Sequence, residues 1–153
     1  MGGLGPKGVD VYVANEKHGL ILSSGTKGLV YDVRKNLLNR FRDIVAESLE
    51  LHMRFPYAVC GHVFFVDAAA RDVASRLHGT VLNRIATLLQ GIEGRRSPAD
   101  PPETYEQLSL APLILAEGRI EMQPPDLPDT LHLHTYCDRM LVAFGQRNPF
   151  YEP

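Results

Sequence analysis

The amino-acid sequence predicts an α/β fold, a small mixed β-sheet flanked by helices. Three observations carry that prediction. Two short apolar runs around an Asn/Gly loop, Val9 to Ala14 and Leu20-Ile21-Leu22, have the pattern of a β-hairpin. From about Arg34 to Met53 the apolar spacing turns helical, with Leu37, Leu38, Phe41, Ile44, Val45, Ser48 and Leu49 on one stripe. Tyr57 to Val66 is then a nearly unbroken apolar run, the pattern of a central strand covered on both faces. Hairpin, helix and buried strand in that order make an α/β core with the helix as crossover.

Each element follows from local chemistry. Asn15-Glu16-Lys17-His18-Gly19 supplies the hairpin turn, and the small, polar stretch Ser23 to Gly28 fits a strand end open to solvent or ligand. Phe55-Pro56 ends the first helix, since the residue before proline resists the helical conformation. Asp67 is placed as the N-cap of a second helix running to roughly Gly91, with Val73, Leu77, Val81, Leu82, Ile85 and Leu88 inward. Glu93 to Glu103 is a loop by its Pro and Gly content. Leu108 to Leu115 and Arg119 to Met122 are expected as strands around Glu117-Gly118. After the break at Pro124 to Pro128, Thr130 to Phe144 is expected as a final helix. The 153 residues fit one domain, with a core over 8–92 and a C-terminal strand and helix elaboration over 104–147.

Composition excludes more than it assigns. A formal net charge of −2 argues against a histone-like coat for nucleic acid but leaves room for a local basic groove. Cys60 and Cys137 lie far apart, in segments read as buried strand and helix, with no CxxC pair. A zinc knuckle and a disulfide scaffold are therefore not expected, and reduced cytoplasmic thiols are. The N-terminus lacks the blocks of a signal peptide, and no apolar run reaches membrane-spanning length. The expectation is a cytoplasmic protein with no membrane partner. The first strand begins about eight residues from the start, so either the fold begins abruptly or a segment that relatives carry is missing.

Hydrolysing a phosphodiester needs a divalent metal held by carboxylates and a cation near the phosphate or the attacking water. Asp10 on the first strand and Lys27 on the second would be brought to one sheet edge by the hairpin. An exposed Asp and Lys on neighbouring strands are also what solvated surface looks like, so the spacing is permissive. Lys27 to Arg42 carries Lys27, Arg34, Lys35, Arg40 and Arg42 against Asp32, with Asn36 and Asn39 interleaved, a composition suited to phosphate contacts or to a solvated helix face. Arg95 and Arg96 lie in a loop. Gly3 to Gly8 matches GxGxxG literally but precedes a strand, so dinucleotide binding is rejected. His132 and His134 lack a third ligand nearby, His52 and His62 read as satisfied structural histidines, and Cys60 sits in too apolar a run to be a nucleophile.

Gly8-Val9-Asp10-Val11-Tyr12-Val13, the turn, Leu20-Ile21-Leu22 and Gly25-Thr26-Lys27 resemble the core of the restriction-endonuclease-like superfamily, the PD-(D/E)xK nucleases. Lys35 to Arg40, Glu47 to Val59 and Arg147-Asn148-Pro149 are similar to bacterial members of that group. The resemblance implies a restriction-endonuclease-like core, Mg²⁺ or Mn²⁺ as cofactor, double-stranded DNA as partner and a homodimer among its assemblies. Asp10 would ligate the metal, and Lys27 would act on water or phosphate. The pattern puts an acid two residues before the lysine, where this chain has Gly25. Some members draw the acid from the following helix, and Glu47 is the substitute, as metal ligand and catalytic residue. Read as an ordinary helix acid, Glu47 would instead pair with Arg40 or Arg54 on a polar stripe with Asp43. Arg34, Lys35, Asn36 and Arg40 would contact the DNA backbone. The function expected is metal-dependent DNA cleavage. Its rivals are a catalytically degenerate module of the same fold that binds DNA or protein, and a structural subunit without nucleic-acid contact.

Overall fold

A computed structural model of the chain describes residues 10–77 and 79–149. Strands β1 (Val11–Asn15) and β2 (Gly19–Leu29) lead into helix α1 (Val33–Arg54) and strand β3 (Val59–Asp67). Helix α2 (Val81–Gln90), strands β4 (Gln107–Ile114) and β5 (Arg119–Ile120) and helix α3 (Tyr136–Arg147) follow. One sheet holds the strands in the order β1-β2-β3-β4-β5. β2, β3 and β4 run parallel, and β1 and β5 flank them antiparallel. The molecule is thus a five-stranded mixed sheet flanked by helices.

β3 shows why its sequence is apolar throughout. Cys60, Phe64 and Val66 join one core with α1 and α2, while Val59 and Val63 join a second with Tyr136 and Met140 of α3. Alternate residues on a strand face opposite ways, so a strand between two helical layers has no polar side. In β2 the alternation is broken once. Val13 pairs with Leu22 and Ala14 with Leu20, leaving Ile21 as a bulge residue. Leu20 consequently joins the α1 core together with Leu29, while Leu22 packs against the α3 core.

α1 starts and stops where the sequence predicts, ending at Phe55, whose amide bonds to the Leu51 carbonyl just ahead of Pro56. Its buried stripe is displaced from the expected one. Leu37, Ile44, Glu47, Ser48, Leu51 and His52 are buried, whereas Leu38 and Leu49 stand 43% and 40% exposed. Glu47 and His52 thus lie inward where the expected stripe did not place them.

The second helix is a correction. Asp67 does cap, accepting from the Ala69 amide at 2.9 Å, but the turn it caps is a single 3₁₀ segment, Ala68–Arg71. The chain then doubles back through an Ala74–Thr80 bridge, with Gly79 at φ +54°, a conformation a continuous helix cannot contain. α2 begins only after Thr80, whose hydroxyl caps the Asn83 amide. The last helix is likewise shorter at its start than expected. His132 is extended (φ −66°, ψ 135°) because its buried ring reaches the Pro124 and Leu127 carbonyls, so 129–135 forms two 3₁₀ turns before α3. Cys60 is buried as expected, but Cys137 is exposed. No helix among the described residues is long and apolar enough to cross a membrane.

α3 approaches the sheet closely at Gly61, where a Cβ would collide with Tyr136 Oη and Met140 Sδ. Gly61→Ala should therefore cost about 1–3 kcal/mol by overpacking. Thermal denaturation should show the lowered Tm, with the larger Gly61→Val worse.

Candidate active site

The bulge at Ile21 sets Ser23, Gly25, Lys27 and Leu29 of β2 on the face that α1 covers. Lys27 Nζ lies 3.8 Å from Glu47 Oε2, their side chains 28% and 11% exposed. Glu47 also presents its other oxygen to the sheet. A Cβ on Gly25 would lie 2.9 Å from Glu47 Oε1 and 2.7 Å from His62 Nδ1, closer than side chains tolerate. Gly25 is required here for space, and the room it leaves is taken by a carboxylate from the helix and an imidazole from β3. The polar stripe expected to keep Glu47 at the surface does stay exposed at Arg40 and Asp43, which pair with each other at 3.4 Å. One turn further on the same stripe passes under the sheet, and Glu47 is buried.

Asp10 reaches the site from just before β1. With Val11 paired to Ser24, its Oδ2 accepts from the Thr26 hydroxyl at 2.7 Å and the Thr26 amide at 2.6 Å. Those two bonds hold the Asp10 carboxyl below its ordinary range, and His62 and Lys27 reinforce the shift. Asp10 is thus tied to β2 one residue from Lys27, and Lys27 in turn faces Glu47. The donor atoms of Asp10, Glu47 and His62 do not, however, close into a tight triad: among the described residues only another group meets a 4.8 Å mutual spacing.

His62 is the residue that sequence reasoning undervalued. It is 1% exposed, neither ring nitrogen has a hydrogen-bond partner among the described residues, and its ring stands edge-on to Tyr105 at 5.8 Å. Burial, and then the Lys27 charge, pushes it down to about 4, so the imidazole is neutral at ordinary pH. One signal was present in the sequence. His62 shares its parity with Cys60 and Phe64, and the parallel register sets it beside Gly25.

The predicted backbone contacts sit apart from this centre. Arg34, Lys35 and Arg40 are exposed near the start of α1, while Asn36 donates to the Tyr31 carbonyl at 3.2 Å. At 1.5 Å per residue they stand about 10–20 Å along the helix from Glu47. Arg34 and Lys35 line a groove that Arg76 completes from the segment before α2.

No family model, curated protein or solved structure matches this chain. Assignment therefore rests on its own residues.

A second polar centre lies under α1. His52 Nε2, Cys60 Sγ and a Glu106 oxygen fall within 4.8 Å of one another, all buried, an arrangement that could hold a metal ion. The protons present form a closed ionic network instead. Glu106 accepts from the Cys60 amide at 2.8 Å, His52 Nε2 at 3.2 Å, Arg95 at 2.8 Å and Arg147 at 2.9 Å. His52 Nδ1 lies 2.9 Å from the Pro102 carbonyl, so both its nitrogens face acceptors and the ring is charged. Despite the opposing effect of burial, contacts with Cys60 and Glu106 raise His52 to about 9. A metal here would have to displace that proton and compete with two guanidiniums for Glu106. Of the remaining histidines considered, His132 is buried on carbonyls and His134 exposed, with no third ligand grouped with them among the described residues.

The two buried histidines bend the stability profile in opposite senses. An unfolded histidine titrates near 6.5. Between about 4 and 6.5 the unfolded chain binds a proton that folded His62 refuses, so stability rises with pH. Between 6.5 and about 9 folded His52 keeps a proton that the unfolded chain has lost, so stability falls. Urea midpoints across pH 4–9 should peak near 6.5. His52→Gln should flatten the alkaline limb and His62→Gln the acid limb.

Proposed function

We propose that this chain is a metal-dependent DNA endonuclease with a restriction-endonuclease-like core, its centre formed by Asp10, Lys27 and Glu47. The observation that carries this reading is the exchange at Gly25. The strand position that would bear an acid is bare, and a carboxylate from α1 occupies that space 3.8 Å from Lys27. An ordinary helix-surface acid would stand in water.

The donor set suits Mg²⁺, or Mn²⁺ in its place, through Asp10 and Glu47. Mg²⁺ needs only one or two carboxylates and keeps several waters, so donors that do not close tightly are no obstacle. When bound, the ion supplies Lewis acidity toward a phosphoryl oxygen and lowers the pKa of a bound water. Thr26 fixes the Asp10 carboxylate through its hydroxyl and amide. Glu47 steadies the Lys27 ammonium, which orients the attacking water or offsets charge developing on the phosphate. Neutral His62 and Tyr105 close the floor without adding charge. Double-stranded DNA is the proposed substrate, its backbone met along α1 by Arg34, Lys35, Asn36 and Arg40.

Plasmid nicking tests this directly. With Mg²⁺ or Mn²⁺ the chain should convert supercoiled to open DNA. Asp10→Ala, Lys27→Ala and Glu47→Gln should each slow it by about 10²–10⁴, the span of a lost catalytic group. Undiminished cleavage in all three variants would sink the assignment. A second reading, a catalytically degenerate DNA-binding module, draws on the open spacing of Asp10, Glu47 and His62. Its signature is duplex binding that weakens steeply with salt, with no cleavage in either metal.

A further inference from the structure

A cavity of about 680 Å³ opens where the end of α2, the 93–96 loop, the start of β4 and the inner side of α3 meet. Gln107, on its wall, pairs with Gly61 of β3, which pairs with Ser24 of β2. The cavity is therefore two strands, about 10 Å, across the sheet from the Asp10–Lys27–Glu47 site. Its wall is arginine-rich. Arg95, Arg96, Arg139 and Arg147 line it, and the His52 imidazolium adds a charge behind Glu106. Opposing them are Glu93 and Glu106 on the wall and Asp100, whose charge is felt by Arg95 and Arg147. On the wall itself four arginines face two glutamates.

Two of the arginines are buried. The Arg95 and Arg147 side chains are 1% and 6% exposed. Arg147 gives Nη2 to Glu106, and its buried Nη1 has no hydrogen-bond partner among the described residues. Arg95 gives one Nη to Glu106 and the other to the Pro56 and Pro98 carbonyls, and its buried Nε has no partner among the described residues. Positive charge left over in a buried setting is costly, and an anion in the cavity offsets it. Guanidinium groups match the geometry of phosphate oxygens in particular. The volume lies in the range of small-molecule sites and exceeds what one oxyanion fills. Gln90, Gln107, Gln146 and Thr130 supply neutral donors and acceptors on the remaining wall.

We propose that this cavity binds a phosphate monoester of nucleotide size, with the phosphate on the Arg96–Arg147 side and the rest against the glutamines. Two sources share that chemistry, a free nucleoside monophosphate and the 5′-phosphorylated end of a nucleic-acid strand. The cavity is separate from the Asp10–Lys27–Glu47 centre, so the absence of nicking leaves this binding intact.

Calorimetric titration of the full chain tests it, using a nucleoside 5′-monophosphate, the matching nucleoside, and a short duplex with and without 5′-phosphate. Either phosphorylated probe should bind at least about tenfold more tightly than its unphosphorylated counterpart, the worth of one charge-assisted hydrogen bond. Binding by the nucleotide alone identifies the free ligand, and binding by the duplex alone identifies the strand end; both support the site. Arg147→Gln should weaken binding by the same factor, and so should Arg96→Gln, which lies at the exposed mouth and spares the Glu106 network. Lys27→Ala should leave the preference for phosphorylated over unphosphorylated probes unchanged. Equal affinity for phosphorylated and unphosphorylated probes overturns the proposal. So does a loss of that preference in Lys27→Ala while Arg96→Gln keeps it.

Discussion

The carboxylate of Glu106 is the point on which the tertiary arrangement hangs. It sits at the entry to β4 and accepts from the Cys60 amide of β3, from His52 of α1, from Arg95 in the loop after α2 and from Arg147 at the end of α3. Elements from four parts of the chain are thereby tied to one buried anion. Such a centre is costly to desolvate and costlier to leave half-made, since removing one partner strands the others. It lies under the segment of α1 that also carries Glu47 and Ser48. Ser48 bonds to the Pro102 and Thr104 carbonyls at 3.2 and 3.0 Å, and His52 reaches the same Pro102 carbonyl. These contacts hold the helix against the loop leading into β4, and so hold Glu47 at its distance from β2.

The candidate active site is a consequence of that clamp and of strand register. A parallel β2–β3 pairing sets Gly25 beside His62 and Lys27 beside Phe64. α1 then lowers Glu47 onto the one residue in that row without a side chain. Any larger residue at 25 would push against both the carboxylate and the imidazole. A bare strand position, a helix acid and an unpartnered histidine are thus three aspects of a single packing solution. Tyr105 belongs to it too, donating to the Ile44 carbonyl at 2.8 Å while its ring flanks His62.

Much of this was legible along the chain, because periodicity reports which side of an element meets the core. α1, β3 and β4 fall within two residues of where apolar spacing puts them. The misses have local causes. The helix expected from Asp67 is cut at Gly79, and an apolar pattern of correct period does not register a positive φ. The final helix starts late because the His132 ring prefers two carbonyls to a place in a helical turn. Leu38 and Leu49 stand out of the core, while Glu47 and His52 enter it, since ionic partners outweigh apolarity at those positions.

By itself the sequence determined the elements and their class: a hairpin, a crossover helix and a strand apolar on both faces leave few alternatives to a helix-flanked sheet. It also singled out Asp10, Lys27 and Glu47 as candidates for metal and phosphate chemistry. Only the tertiary structure decided that Glu47 lies inward over Gly25, that His62 faces the same space without a partner, and that four arginines crowd one cavity with too little counter-charge. Those facts depend on register, on the bulge at Ile21 and on contacts between residues tens of positions apart. Local propensity carries no record of such contacts, because the free energy that sets them is realised only when the layers close.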